Sequence, residues 1–518
     1  VAPGQPFQGA GDAVRTALTV EPRDGVLHVF LPPVASADAY VELVDAVEEV
    51  AATLNLPVRL EGYPPPPDHR LRVLKVTPDP GVIELNVQPA ASWDELVAVQ
   101  ESAYAMARRC GLSPTKYMVD GRAAGSGGGA HVVMGAAEPA DSPFLRRPDL
   151  LASMLRFWQR HPCLAYFFTG LFVGASSQAP RIDEARDDSL YELEIALGAI
   201  PDPHTAGGRD CPPWFVDRVF RNLLTDVTGN THRAEICIDK LFSPDGPTGR
   251  LGLVELRAFE MAPHPRLALA QLLLVRALVA LLWRRPCRDP LIHFGTRLHD
   301  QFLLPHWLWN DLGDVIESIN QGLSLRLDRE WFAAMLEFRF PRYGSVNCDG
   351  VGIELRAALE PWHVLGEEGA VGGTTRFVDS SVERLQVRVT GATGERYVVT
   401  CNGYALPLVA TGTQDEKVGG VRFRAWWPPS CLHPHIAPHG PLVFDVVDTW
   451  NGRSVGGCTY HVSHPGGRNY ETQPVNEREA DGRRLSRFEA FGHAPGAFTV
   501  RQPRRSARHP STLDLRIQ

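Results

Sequence analysis

Between residues 126 and 135 the chain reads SGGGAHVVMG, three glycines running into His131 at the mouth of a short apolar segment. Glycine lets a backbone approach a ligand closely and takes positive φ without strain. Successive free N–H groups in such a turn form a concave anion site, and a histidine beside it can hold a metal ion. Four other stretches carry side chains of related chemistry. In VIELN (82–86), period-two alternation puts Glu84 and Asn86 on one strand face, suited to a hard cation or, equally, to solvent. In LGLVELRAFEM (251–261), Glu255 and Arg257 share a face. Arg233 starts the strand AEICI behind a Thr-Gly-Asn turn. The segment 174–197, GASSQAPRIDEARDDSLYELEIAL, gathers Gln178, Arg181, Asp183, Glu184, Arg186, Asp187 and Asp188; such a mixed cluster is a solvated face or a binding loop. Cys431, His433, His435 and His439 crowd together as well, but their prolines fit a rigid loop and their spacing matches no standard zinc finger.

Regular elements must position these residues. Runs at 15–20 and 26–31 flank Pro22-Arg23-Asp24-Gly25, a hairpin pattern, and a second hairpin pairs 71–76 with 82–87. Helical spacing marks 37–54 behind Ser36 and a helix to about Cys110 behind Ser92. A short strand at 116–120 leads into the glycine turn. Helices are expected at 149–159, 214–224, 305–319 and 329–338, and a β-like run at the end of the charged 174–197 segment. The longest apolar run, 267–283, contains Gln271 and Arg276 and reads as a buried helix rather than a membrane span. From about residue 375, short runs such as LQVRVT, RFRAWW and LVFDVVD alternate with Gly, Pro and Asn turns, the texture of an antiparallel sandwich.

The 518 residues provide for several domains. A hydrophobic share of 44% and a charged share of 22% are those of a globular protein, and a net charge of -8 gives no reason to expect nucleic acid or a membrane surface as partner. Nine scattered cysteines with no CxxC point to free thiols in a reducing compartment, hence the cytoplasm. No signal-peptide pattern is visible.

Taken together, SGGGAH, SSQAPR (176–181), GNTHR (229–233) and ELR (255–257) followed by APHPRLALAQLLL resemble, in that order, motifs of the glutamine synthetase-like carboxylate–amine ligases. More closely, residues 13–490 resemble a bacterial amidoligase family often fused behind a transglutaminase-like domain. DSPFLRRPDLL, GPTGRLGLVELRAFEM, EPWHVLGEE and DTWNGRSVGGCTYHVSHPGGRNYE carry this likeness. The resemblance implies an α+β fold, a glutamine synthetase-like antiparallel sheet with packed helices followed by an all-β sandwich-like domain. The expected division is an N-terminal β-grasp-like subdomain at 1–75, the ligase core at 76–370, the sandwich at 371–495 and a loose tail at 496–518. The absence of a starting Met fits a longer chain with a transglutaminase-like domain ahead of Val1.

The activity implied is ATP-dependent amide formation through an acyl phosphate on an amino acid or peptide, with Mg2+, or Mn2+ in its place. Glu84, Asn86, His131 and Glu255 would hold metal. Gly128, Arg233 and Arg257 would hold phosphate, and Arg181, Gln178, Gly127 and Gly129 the substrate. Asp183 or Asp187 would attract or deprotonate the amine. The first strand offers Glu-x-Asn where the superfamily has Glu-x-Glu, so one metal lacks a carboxylate unless Asp120 or Glu235 replaces it. Glu-x-Arg also recurs, most closely in EFRFP (337–341), which reads as a helix end. Arg257 alternatively forms a structural ion pair with Glu235, and Arg181 alternatively neutralises its acidic neighbours. Competing functions are a non-catalytic peptide-binding module serving a fused or neighbouring peptidase-like domain, and a hydrolase or transferase using the cleft without ATP. Assembly into an oligomer stays open.

Overall fold

A computed structural model describes residues 17–518 apart from 67, 69, 72, 80, 128, 186–188, 202–210, 247–248, 371–372, 392–394, 427–436 and 468. The chain divides into two units, Val1–Thr77 with Leu85–Gln88, and Pro78–Glu84 with Pro89–Gln518. In the first, Thr19–Arg23 and Val26–Leu31 pair antiparallel. Asp24 and Gly25, both at positive φ, make the two-residue turn that suits a twisted hairpin. That tight turn lets the first strand run on to Arg23, beyond the expected end at 20. The helix Ala37–Leu54, capped by Ser36, crosses over to Val58–Gly62, which pairs parallel to Val26–Leu31.

The second unit holds two large apolar clusters. One packs the helices Pro148–Arg160, Pro265–Arg284 and Pro305–Leu323 against a small antiparallel sheet in which Val254–Leu256 lies between Val132–Met134 and Ile236–Cys237. The long apolar helix Pro265–Arg284 meets the length and composition of a membrane span, yet Leu274, Val275, Leu278 and Leu282 are buried in this cluster. The other fills the space between two antiparallel sheets, one built on Arg342–Cys348, Val351–Ala358, Val382–Thr390 and Glu416–Arg424, the other on Tyr397–Cys401, Leu442–Asp448 and Arg453–Tyr460. The fold class is therefore α+β, with sheets and helices segregated.

Larger differences from the sequence reading lie in the second unit. The sandwich begins at Arg342 rather than 371, because Val351–Ala358, which alternates buried and half-buried residues, is a strand of its first sheet. Ser189–Ala199 is a helix, not a β-like run: Leu193, Ala196 and Leu197 are buried at helical spacing. The segment from 496 onward does not end loosely. Thr512–Asp514 adds parallel to Glu416–Arg424, Leu513 is buried, and Ser511 and Thr512 donate to the buried Asp300.

Truncation after Arg508 would strip Asp300 of these donors and Arg422 of its ion pair with Asp514 (3.0 Å). The expected loss is about 3–5 kcal/mol, read as a lower denaturant midpoint. An unchanged midpoint contradicts the assignment.

Candidate active site

The central strand Val254–Leu256 sends Val254 and Leu256 into the helical core and Glu255 to the opposite face, directly across from Val133 and Cys237. Glu255 is 6% exposed. Its Oε1 accepts from Arg257 Nη1 at 2.7 Å and lies 2.8 Å from His131 Nδ1. Its Oε2 has no hydrogen-bond partner, and Lys240 Nζ stands 3.6 Å away. Burial works to raise this carboxyl. The His131 hydrogen bond and the charges of Arg257, His131 and Lys240 outweigh burial and hold it at about 2. His131, Glu255 and Arg257, three of the residues expected from sequence, thus meet at one carboxylate.

The glycine turn runs alongside. Gly127 sits at φ +112, a conformation that would strain any other residue type, and a Cβ there would lie 3.1 Å from Lys116 Nζ. A Cβ at Gly129 would collide with the His131 ring, so that glycine lets the imidazole fold back over the turn. Gly129 also bridges Glu260, and the Gly125 N–H donates to Glu260 Oε2 (3.1 Å). Glu260 is buried with Arg339, whose Nε is 3.9 Å from Oε1 and whose Nη2 donates to the Gly170 carbonyl. Burial pushes the Glu260 carboxyl up against the opposing Arg339 charge. Arg339 belongs to the EFRFP stretch discounted in the sequence; it packs beneath the turn.

The third strand contributes residues the sequence reading passed over. His232 Nε2 lies 3.1 Å from Arg257 Nη1. A guanidinium only donates, so Nε2 accepts and the neutral ring carries its proton on Nδ1. That nitrogen faces Cys237 Sγ at 4.0 Å and Asp239 Oδ2 at 3.7 Å. Burial, then the Arg257 charge, lowers the His232 imidazole, and burial pushes the Cys237 thiol up to about 11. Arg233 follows at a half-buried position, its guanidinium without a hydrogen bond or ion pair among the described residues.

Arg181 and Asp183 lie in a buried cluster rather than an open pocket. Arg181 is 1% exposed, donates to both Asp183 oxygens at 2.8 and 2.7 Å, and leaves Nη1 unpartnered. Glu184 accepts from Tyr166 and meets His299 Nε2 at 2.6 Å. Glu235 touches this cluster through the Ile182 N–H (3.3 Å), leaves Oε2 unpartnered, and accepts the Arg257 N–H on its backbone carbonyl (2.9 Å). Gln178 is exposed. Glu84 and Asn86 are exposed on Val82–Asn86, which pairs with Lys75–Asp79 in a separate two-stranded sheet. Asp120 is buried between Arg122 and Arg487 and is committed to structure. Gly128, Asp187, Cys431, His433 and His435 lie outside the described residues. The metal-competent group that the described residues do form is His232, Cys237 and Glu255, with ligand atoms within 4.8 Å of one another.

A protein-family model described as "Putative amidoligase enzyme" matches residues 4–516. No curated protein and no solved structure matches the chain.

Burial, with Asp183 and Glu184 adding and Arg181 opposing, pushes the Glu235 carboxyl from 4.5 up to about 8. The native state therefore holds a proton there that the unfolded chain has already released, and stability falls as pH rises through that window. Glu235→Gln is neutral throughout and escapes the loss. Relative to wild type its unfolding free energy should rise by on the order of 1–3 kcal/mol between about pH 5 and about pH 8. A pH-independent difference contradicts this.

Proposed function

The chain belongs to the amidoligase family, and on that premise we propose that it is an ATP- and Mg2+-dependent ligase that joins a carboxylate to an amine through an acyl phosphate at the Glu255 face. The observation that carries this reading is the convergence of His131 and Arg257 on one buried carboxylate, 2.8 and 2.7 Å away, beside a glycine turn. Phosphoryl transfer asks little covalent chemistry of a protein. It asks for position and for positive charge around the oxygens in flight. Arg233, with its unengaged guanidinium, and Lys240 supply that charge, and Arg257 supplies a buried Nε without a partner. In this reading the turn of Gly127 and Gly129, which lies against the His131 ring, offers backbone N–H groups to the phosphate.

Mg2+ takes oxygen ligands, commonly one or two carboxylates together with waters and substrate phosphates. The orphaned Glu255 Oε2 fits that demand. When bound, the ion would neutralise phosphate charge; His131 and Arg257, engaged on Oε1, hold the carboxylate in position. Arg181 and Asp183 neutralise one another, so in this reading they brace the 180–184 segment against Glu235 and do not touch substrate. The substrate is an amino acid or peptide carboxylate, and the free thiols of the described cysteines suit a cytoplasmic enzyme.

Purified protein given Mg2+–ATP should release ADP when a carboxylate and an amine are both present. Glu255→Gln should lower that rate by on the order of 100-fold or more while circular dichroism stays unchanged. Amide formation without ATP would favour the transferase reading. No nucleotide affinity with either Mg2+ or Mn2+ would leave the non-catalytic binding module.

A further inference from the structure

We propose that His232, Cys237 and Glu255 form a binding site for a divalent cation of the zinc class. Strand register builds it: Cys237 stands directly opposite Glu255 on the neighbouring strand, and His232, five residues before Cys237, folds back over both. One ligand atom from each lies within 4.8 Å of the others; tetrahedral bonds of about 2.0–2.3 Å set ligand atoms roughly 3.3–3.8 Å apart, so side-chain rotations that close the longest separation by about an ångström would seat an ion. Glu255 Oε2 is buried and lacks a hydrogen bond. His232, its side chain 54% exposed, leaves the ion a way in from solvent.

The donor set selects the ion. A thiolate is a poor ligand for Mg2+, while imidazole, thiolate and carboxylate together suit Zn2+ or Co2+. Three protein ligands leave a fourth position for water or a substrate atom. Without an ion, Glu255 and Asp239 balance Arg257 and Lys240; the thiolate formed when Cys237 loses its proton to solvent on binding supplies the further negative charge that a dication meets. Asp239, held by Thr231 Oγ1 (3.1 Å), lies 3.7 Å from His232 Nδ1 and adds a carboxylate on the ion's side of the ring.

Binding displaces the Cys237 thiol proton. Coordination at Nδ1 moves the ring proton to Nε2, where it can no longer accept from Arg257, so the Arg257–His232 contact opens. The site shares only Glu255 with the proposed ligase chemistry. A zinc-class ion there would compete with a nucleotide-bound Mg2+ for Oε2.

Metal-free protein titrated with Co2+, with no nucleotide present, should bind one equivalent with a thiolate-to-cobalt charge-transfer absorption. Cys237→Ser should abolish that band. His232→Ala, at a half-exposed position that does not threaten folding, should weaken binding at least about tenfold. A missing band in wild type overturns the proposal. So does a band that survives Cys237→Ser, which would assign the sulfur to another cysteine. Neither result depends on whether ATP is used.

Discussion

A carboxylate taken out of water must be compensated where it lies, and the geometry around Glu255 answers to that demand. The central strand cannot turn Glu255 outward without turning Val254 and Leu256 out of the helical core, because alternate residues point to opposite faces. The carboxylate is therefore committed to a nearly dry position, and His131, Arg257 and Lys240 converge on it as a consequence. His131 and Arg257 are in turn held. Gly129 makes room for the imidazole, and the guanidinium is shared with His232. The arrangement is electrostatically preorganised, and one carboxylate oxygen is left over.

The glycine turn owes its place to ionic contacts farther off. It follows the hairpin of Thr115–Tyr117 and Ala123–Gly125, and that hairpin is anchored at Asp120, fully buried between Arg122 and Arg487 at 2.7 Å each. Arg122 and Arg487 also reach Glu383 on a strand of the sandwich, and Arg483 donates to the Val119 carbonyl. The sandwich thus does more than enclose its own core. Through these side chains it fixes the start of the loop that carries His131. Losing one partner would leave another charge buried and unpaired, the costly way to break such a network.

Local pattern made part of this legible. Glu255 and Arg257 share a face by simple alternation, and a glycine run before a histidine marks a turn near a functional group; all three residues meet in the structure. The long apolar helix and the sandwich texture were equally plain, since each follows from periodicity. What stayed hidden depends on register between distant segments. Cys237 and His232 acquire meaning only once Ile236–Cys237 is laid against Val254–Leu256, and no spacing within AEICI announces that pairing. Arg339 looked like a frayed helix end because Glu260, its partner, is remote in sequence. In the charge-dense loop that suggested a binding surface, the side chains of the described residues Arg181, Asp183 and Glu184 are buried and paired with Asp183, Arg181 and His299 respectively. The last strand was missed because the basic residues around 501–508 masked the short alternation of Thr512–Asp514.

The proposed ligase chemistry needs Glu255, His131 and Arg257 to surround a nucleotide's terminal phosphate. A crystal soaked with Mg2+ and a nonhydrolysable ATP analogue tests it most directly. The γ-phosphate should then lie within hydrogen-bonding distance of Arg257 and of the glycine turn, with the ion on Glu255 Oε2. Nucleotide bound on another surface, with Glu255 Oε2 still unengaged, would contradict it.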